Sequence, residues 1–226
     1  MNSGLTVVGS PVRKVRPSSD VPGWKNMLKN KHAPTYTHCI RVAKLAHMLG
    51  TAMRLTEKEL AQLGTGCCLH DIGKLMIPNS ILNSSKPMTD REWRLMKLHP
   101  EIGSDILERT TSVDREVIEI VRHHHERWDG TGYPAGLKGA DIPLFARICS
   151  VVDAFDSMIS ERPYRKRRTI EEAVTELIAH GGTQFDTAIV LQFEAIVKDV
   201  QYLYPIKIQA NESSRTRHEE RADTQG

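Results

Sequence analysis

Apolar residues recur along this chain at the period of a helix, and no stretch alternates apolar with polar residues convincingly enough to form a strand. Cys39, Val42, Ala43, Ala46, Leu49 and Met53 form one stripe, and Leu144, Ile148, Val151, Val152, Phe155 and Ile159 form another. Val117, Val121 and His124 continue the pattern at i, i+4 and i+7, and Ile189, Phe193, Ile196, Val197 and Val200 repeat it near the end. Side chains three and four residues apart share one face of an α-helix, so the expected fold is all-α, a single helical bundle. Three T-x-x-E sequences, Thr56 to Glu59, Thr89 to Glu92 and Thr169 to Glu172, read as capping boxes and place three helix starts.

Composition limits what this bundle can be. With 39% hydrophobic, 26% charged and only 5% aromatic residues, the chain is globular in character and must build its core mainly from aliphatic side chains. Residues 1–25, with Pro11, Pro17 and Pro22, read as a flexible leader; 26–205 as one domain; and 206–226 as a polar, disordered tail. No run approaches the ~18 apolar residues that span a bilayer, and Met1 to Asp20 has no signal-like apolar segment, so the expectation is cytoplasmic with no membrane partner. Cys39, Cys67, Cys68 and Cys149 lack C-x-x-C spacing and read as reduced core residues. A net charge of +3 does not argue for nucleic acid, and the run Arg165-Lys166-Arg167-Arg168 reads as a solvated face.

The chemistry is concentrated in histidines and carboxylates. His38, His70, His99, His123, His124 and His125 all fall in the helical region. A single core histidine is ordinarily a hydrogen-bonded packing residue, but six together suit a transition-metal site, with carboxylates supplying oxygen able to bridge two ions. His70 and Asp71 are adjacent, and neighbours on a helix point about 100° apart, so both can serve one cluster where the helix ends. Gly73 follows directly and is expected to stop that helix in the left-handed conformation. His99 precedes Pro100 at an expected kink. Asp153, among Val151, Val152, Ala154 and Phe155, needs a compensating cation: a metal, or a salt bridge to Arg147 or Arg41. Lys74, three residues after Asp71, can reach a phosphate oxygen from beside the same cluster, or be a surface lysine. In His124 to Pro134, paired histidines end a helix and a loop follows whose Gly130, Gly132 and Pro134 suit turns, with Trp128 and Tyr133 as packing residues or site walls.

HDIGK (His70 to Lys74), HHERWDGTGYP (His124 to Pro134), VVDAFDSM (Val151 to Met158) and RPYR (Arg162 to Arg165) resemble, in this order and spacing, the HD-GYP subgroup of HD-domain phosphohydrolases. The resemblance covers roughly residues 30 to 205 and implies a helical bundle around two or three metal ions, iron or manganese, with zinc also accommodated. It implies His38, His70, Asp71, His99, His124, His125 and Asp153 as ligands, with Asp71 bridging. His123 falls outside the paired histidines of the family segment. It further implies Lys74, Arg162 and Arg165 as substrate contacts. Two departures stand out. Pro34 occupies the position where three-metal members carry glutamate, which favours two ions, and Ser84-Ser85-Lys86 replaces a K-P-G loop near the site.

The implied activity is hydrolysis of cyclic di-GMP to pGpG, and onward to GMP in some relatives, by a hydroxide held between two ions about 3.5–4 Å apart. Asp71 and Lys74 would be central to catalysis. The competing readings are a non-catalytic cyclic-dinucleotide sensor, a module docking a signalling domain through Gly132, Tyr133 and Pro134, and a phosphodiesterase for another cyclic dinucleotide such as cyclic GMP-AMP.

Overall fold

Helices account for nearly all of the regular structure in the computed structural model, which describes residues 21–110, 112–160, 167–200 and 203–204. In chain order these are α1 (Val21–Lys31), α2 (Ala33–Ala52), α3 (Glu57–Leu69), α4 (Asn79–Leu82), α5 (Asp90–Met96), α6 (His99–Glu108), α7 (Arg115–His123), α8 (Leu144–Ile159), α9 (Ile170–Ala179) and α10 (Thr187–Val200). A 3-10 turn, Ile72–Met76, follows α3, and a second, Gly139–Asp141, precedes α8. Among the described residues the one β-type pairing is an isolated bridge between Gly181 and Phe185. The fold is all-α, and among the described residues no helix is long and apolar enough to cross a membrane.

Local signals set the helix starts. Thr56, Thr89 and Thr169 each accept from the backbone N–H three residues on, while Glu59, Glu92 and Glu172 reach back to the cap N–H, so all three capping boxes form. His32 caps α2 through its ring, which accepts from the Thr35 N–H at 3.2 Å. The segment read as a leader to residue 25 overlaps α1, which begins at Val21 and buries Trp24. Pro22 and Gly23 look like breakers, yet a proline in the first turn removes only an N–H that has no helical partner. Residues 1–20, Arg162, Arg165 and the tail 206–226 lie outside the described residues. From the basic run, Arg168 pairs with Glu176 at 2.8 Å.

Among the described residues two main apolar clusters hold the bundle, with a small third formed by Ile77, Ile81 and Met96. The larger unites α2, α3, α7, α8, α9 and α10 through Val42, Leu45, Leu63, Ile120, Ile148, Val152, Phe155, Leu177 and Phe193, with the Phe155 and Phe193 rings edge-on at 4.7 Å. The smaller joins Trp24 and Leu28 of α1 to Cys39, Leu69, Ile72, Leu107, Val117 and Val121. Helices α2, α3 and α7 contribute to both clusters, and near where each passes from one to the other it carries a histidine: His38 beside Cys39, His70 beside Leu69, and His124 three residues after Val121. Burial therefore fixes these three histidines from both sides.

Candidate metal centre

The ends of three helices supply imidazoles by one repeated device. The last carbonyls of an α-helix have no intrahelical donor. His70 Nδ1 lies 2.7 Å from the Cys67 carbonyl near the end of α3, His99 Nδ1 lies 2.7 Å from the Met96 carbonyl at the end of α5, and His124 Nδ1 lies 2.9 Å from the Val121 carbonyl near the end of α7. A carbonyl only accepts, so in each case Nδ1 carries the proton. In the neutral ring Nε2 is then a bare lone pair directed inward. His38 is oriented differently: its Nδ1 meets Asp156 Oδ2 at 2.7 Å and its Nε2 meets Asp153 Oδ1 at 2.9 Å.

These nitrogens and Asp71 assemble two adjoining groups. His38, His70 and Asp71 can each offer one ligand atom with all three atoms within 4.8 Å, and so can His99, His124 and His125. Asp153 Oδ1 joins the first group, 3.8 Å from His70 Nε2. Asp71 spans the two: Oδ2 is 3.5 Å from His70 Nε2, and Oδ1 is 3.2 Å from His99 Nε2. The structure thus brings all seven expected ligand residues, His38, His70, Asp71, His99, His124, His125 and Asp153, to one place. Lys74 lies against them, its Nζ 2.6 Å from Asp71 Oδ2.

Left to itself, the cluster is electrostatically incomplete. His99 Nε2 and His124 Nε2 face each other at 3.2 Å although both rings have committed Nδ1 to carbonyls. Two lone pairs at that separation repel unless a proton or a metal ion lies between or beside them. Burial, followed by His125, His70 and His99, holds His124 well below the usual imidazole value, so it stays neutral. Burial and His99 likewise push His125 down to about 3. Burial disfavours a charged Asp71, but Lys74, His70 and His99 outweigh it and keep the carboxyl well below its usual range. For Asp153, His38, His70 and His125 overcome the same burial cost. Burial lowers His70 as well, whereas Asp153 and Asp156 outweigh burial at His38 and raise it to about 9. Neutral His70, His124 and His125 beside ionised Asp71 and Asp153 form a donor set suited to divalent transition metals.

Several supports were not singled out in the sequence. Asp156 is fully buried and also receives Arg41 at 2.7 Å, Ser160 at 3.1 Å and the Tyr204 hydroxyl. Arg41 is thereby committed to Asp156, and Arg147 to Asp186 at 2.7 Å, so neither alternative salt bridge to Asp153 forms. The signal available was spacing: Asp156 follows Asp153 by three residues on α8, on the same helix face. Glu126, also buried, accepts from the Ala135 N–H at 2.7 Å and the Leu137 N–H at 3.1 Å, which folds the loop after α7 back on itself. That return brings the Tyr133 ring to 4.9 Å from His125, stacked, with Gly132 and Pro134 half-buried beside it. His123 turns away, toward Glu119 at 3.3 Å and Glu126 at 3.6 Å.

Two expectations are corrected. Gly73 is not among the positive-φ glycines; it lies in the 3-10 turn, where a Cβ would collide with the His99 carbonyl and crowd Gly103 N. Glycine is needed there for close approach of two backbones. His99 does not mark a kink within a helix but begins α6, with Pro100 in the first turn.

Residues 23–189 match the HD-domain family. The chain is 37% identical over 181 residues to a cyclic di-GMP phosphodiesterase of Thermotoga maritima, covering 79% of this chain and 49% of that protein. It is 38% identical over 170 residues to the 3′3′-cGAMP-specific phosphodiesterase 2 of Vibrio cholerae, covering 73% and 32%. An HDGYP protein from Bdellovibrio bacteriovorus has a similar structure, with a TM-score of 0.60 at 27% identity, covering 71% of this chain and 51% of that one. The chain spans about half the length, or less, of these relatives. Its matching sequence, its helical fold and its clustered histidines and aspartates agree: the chain belongs to the HD-domain family and, within it, to the HD-GYP subgroup.

Proposed function

We propose that this domain is a metal-dependent phosphodiesterase that hydrolyses a cyclic dinucleotide, with cyclic di-GMP as substrate and linear pGpG as product. The observation that carries the reading is Asp71, one carboxylate with an oxygen turned toward each of two histidine groups. That is the arrangement a bridging ligand between two ions requires. His38, His70 and Asp153 would hold one ion, His99, His124 and His125 the other, and Asp71 both. Iron or manganese suits this donor set, with zinc accommodated, and Pro34 offers no ligand atom for a third ion.

Two bound ions would supply Lewis acidity and a water acidified enough to attack phosphorus. The protein's own groups position and neutralise. The carbonyls of Cys67, Met96 and Val121 hold His70, His99 and His124 in one tautomer before any ligand arrives. Lys74, whose ammonium is favoured by Asp71 despite burial, remains charged and can donate to a non-bridging phosphate oxygen. Arg162 and Arg165, outside the described residues, are assigned to the second phosphate by their match to the family motif. Tyr133, stacked on His125, forms a wall of the centre. A signalling partner docked on Gly132, Tyr133 and Pro134, which are half-buried between the exposed Thr131 and Ala135, would act on the site through that ring.

Similarity to a 3′3′-cGAMP-specific enzyme makes cyclic GMP-AMP the second substrate to test. Anaerobic purification with metal quantification, followed by chromatography of products from both dinucleotides with added iron or manganese, tests the reading. Linear dinucleotide appearing only with metal is expected. A metal-loaded protein that binds these nucleotides and releases no product would make it a sensor instead.

A further inference from the structure

Lys97 stands between two aromatic rings at the edge of the centre. Its ammonium lies 5.6 Å from the centroid of Trp93 and 5.4 Å from that of Tyr133. The first contact is an ordinary i, i+4 pair on a helix surface. The second joins residues far apart in sequence, and Tyr133 is itself stacked on the candidate ligand His125. Lys97 is half-buried, and among the described residues no carboxylate lies within ion-pair distance of it. The nearby Glu92 is committed to the Thr89 cap. Trp93 leaves 44% of its surface open, although a ring of that size is usually more buried. An unpaired cation beside an open indole, one ring away from a buried metal centre, has the composition of a nucleotide contact: charge for phosphate and a π-face for a base.

We infer that Trp93 and Lys97 form a substrate subsite, in which a purine stacks on the Trp93 ring and Lys97 contacts the phosphate that is not being cleaved. The inference rests on the cyclic-dinucleotide reading and extends it to residues that no motif marks. Tyr133 links the subsite to His125, so a base seated on Trp93 fixes the ring of the dinucleotide relative to the ions. Lys97 and Trp93 act in binding and orientation, while proton transfer and metal loading belong to other groups.

The test uses the whole chain and the variants Lys97→Met and Trp93→Phe, with metal content and thermal midpoint measured for each. In wild type, adding cyclic di-GMP or 3′3′-cGAMP to the metal-free protein should quench tryptophan fluorescence, and Trp93→Phe should abolish most of that quench. With metal, KM for the dinucleotide should rise by about tenfold or more in Lys97→Met, with little change in kcat. Variants that keep the wild-type quench and KM, in a wild-type protein that cleaves the dinucleotide, overturn this inference alone. A wild-type protein that neither binds nor cleaves either dinucleotide overturns the function proposed above and this inference with it.

Discussion

His38 of α2 and Asp156 of α8 are joined by a 2.7 Å contact between Nδ1 and Oδ2, a carboxylate orienting an imidazole from behind while its other nitrogen faces the candidate centre. Asp156 is anchored in turn by Arg41, Ser160 and Tyr204, so the His38 ring has little freedom to rotate. Replacing Asp156 by asparagine keeps the shape and removes the charge. The expected result is a 10–100-fold weaker metal affinity, the range found for such outer partners of ligand histidines. A competition titration against a chelator of known affinity measures it, and unchanged affinity would show that His38 needs no partner.

The His38–Asp156 contact also shows where sequence reading stops. Helical stripes and capping boxes were legible because their causes lie within a turn of chain: Thr89 and Glu92 need only three residues between them. The histidines and aspartates that converge on the candidate centre were legible from residue type and motif. Asp156 sits in the same VVDAFDSM stretch as Asp153, yet its role arises from His38 and Arg41, more than a hundred residues away. Glu126 is similar, since a buried carboxylate that receives two loop N–H groups cannot be told from a solvated one by its neighbours in sequence. Gly73 follows the HD pair as a helix-stopping glycine would, yet it serves a close backbone approach. Nothing local distinguishes a glycine that frees φ from one that lets another backbone come close.

In the proposed two-ion scheme Asp71 faces both histidine groups, so Asp71→Asn should affect both ions together. An asparagine presents one oxygen and an NH2 group, and cannot bridge two cations. Lys74 would at the same time lose its 2.6 Å partner and remain a cation in a poorly solvated place. Elemental analysis should find metal reduced for both sites, and turnover should vanish. Full loading with intact activity would remove the bridge from the scheme.

Gly73→Ala tests the close approach between the 3-10 turn and the start of α6. The new methyl would meet the His99 carbonyl, which is backbone and cannot swing aside. Overpacking of this kind costs about 1–3 kcal/mol. The thermal midpoint should fall, and because the displaced residue is a candidate ligand, metal affinity should fall as well. A midpoint unchanged from wild type would mean the two segments separate freely.

Metal removal should destabilise the protein in proportion to how tightly it binds. The facing nitrogens of His99 and His124, 3.2 Å apart, are tolerated best with a cation between them, and an unfolded chain has no preformed site. A ligand present at a hundred times its dissociation constant adds about 2.7 kcal/mol. Scanning calorimetry across manganese concentrations should show a midpoint that climbs with metal and drops on chelation. A midpoint independent of metal would mean that the folded protein has no preference over the unfolded chain for the ion.

Glu126 provides the remaining test, because it separates loop geometry from metal binding. Its carboxylate receives the Ala135 and Leu137 N–H groups, and it is the return of this loop that lays Tyr133 on His125. Glu126→Ala leaves those two donors without their acceptor, at a cost of about 1–3 kcal/mol for each that stays buried. No ligand atom is removed. The amides of Ala135 and Leu137 should therefore lose hydrogen-exchange protection while metal content stays near wild type, and any fall in dinucleotide affinity would then be traceable to Tyr133. Protected amides in the variant would show that the contacts of Trp128 and Asp129 with the backbone at Gln184 and Thr183 hold the loop unaided.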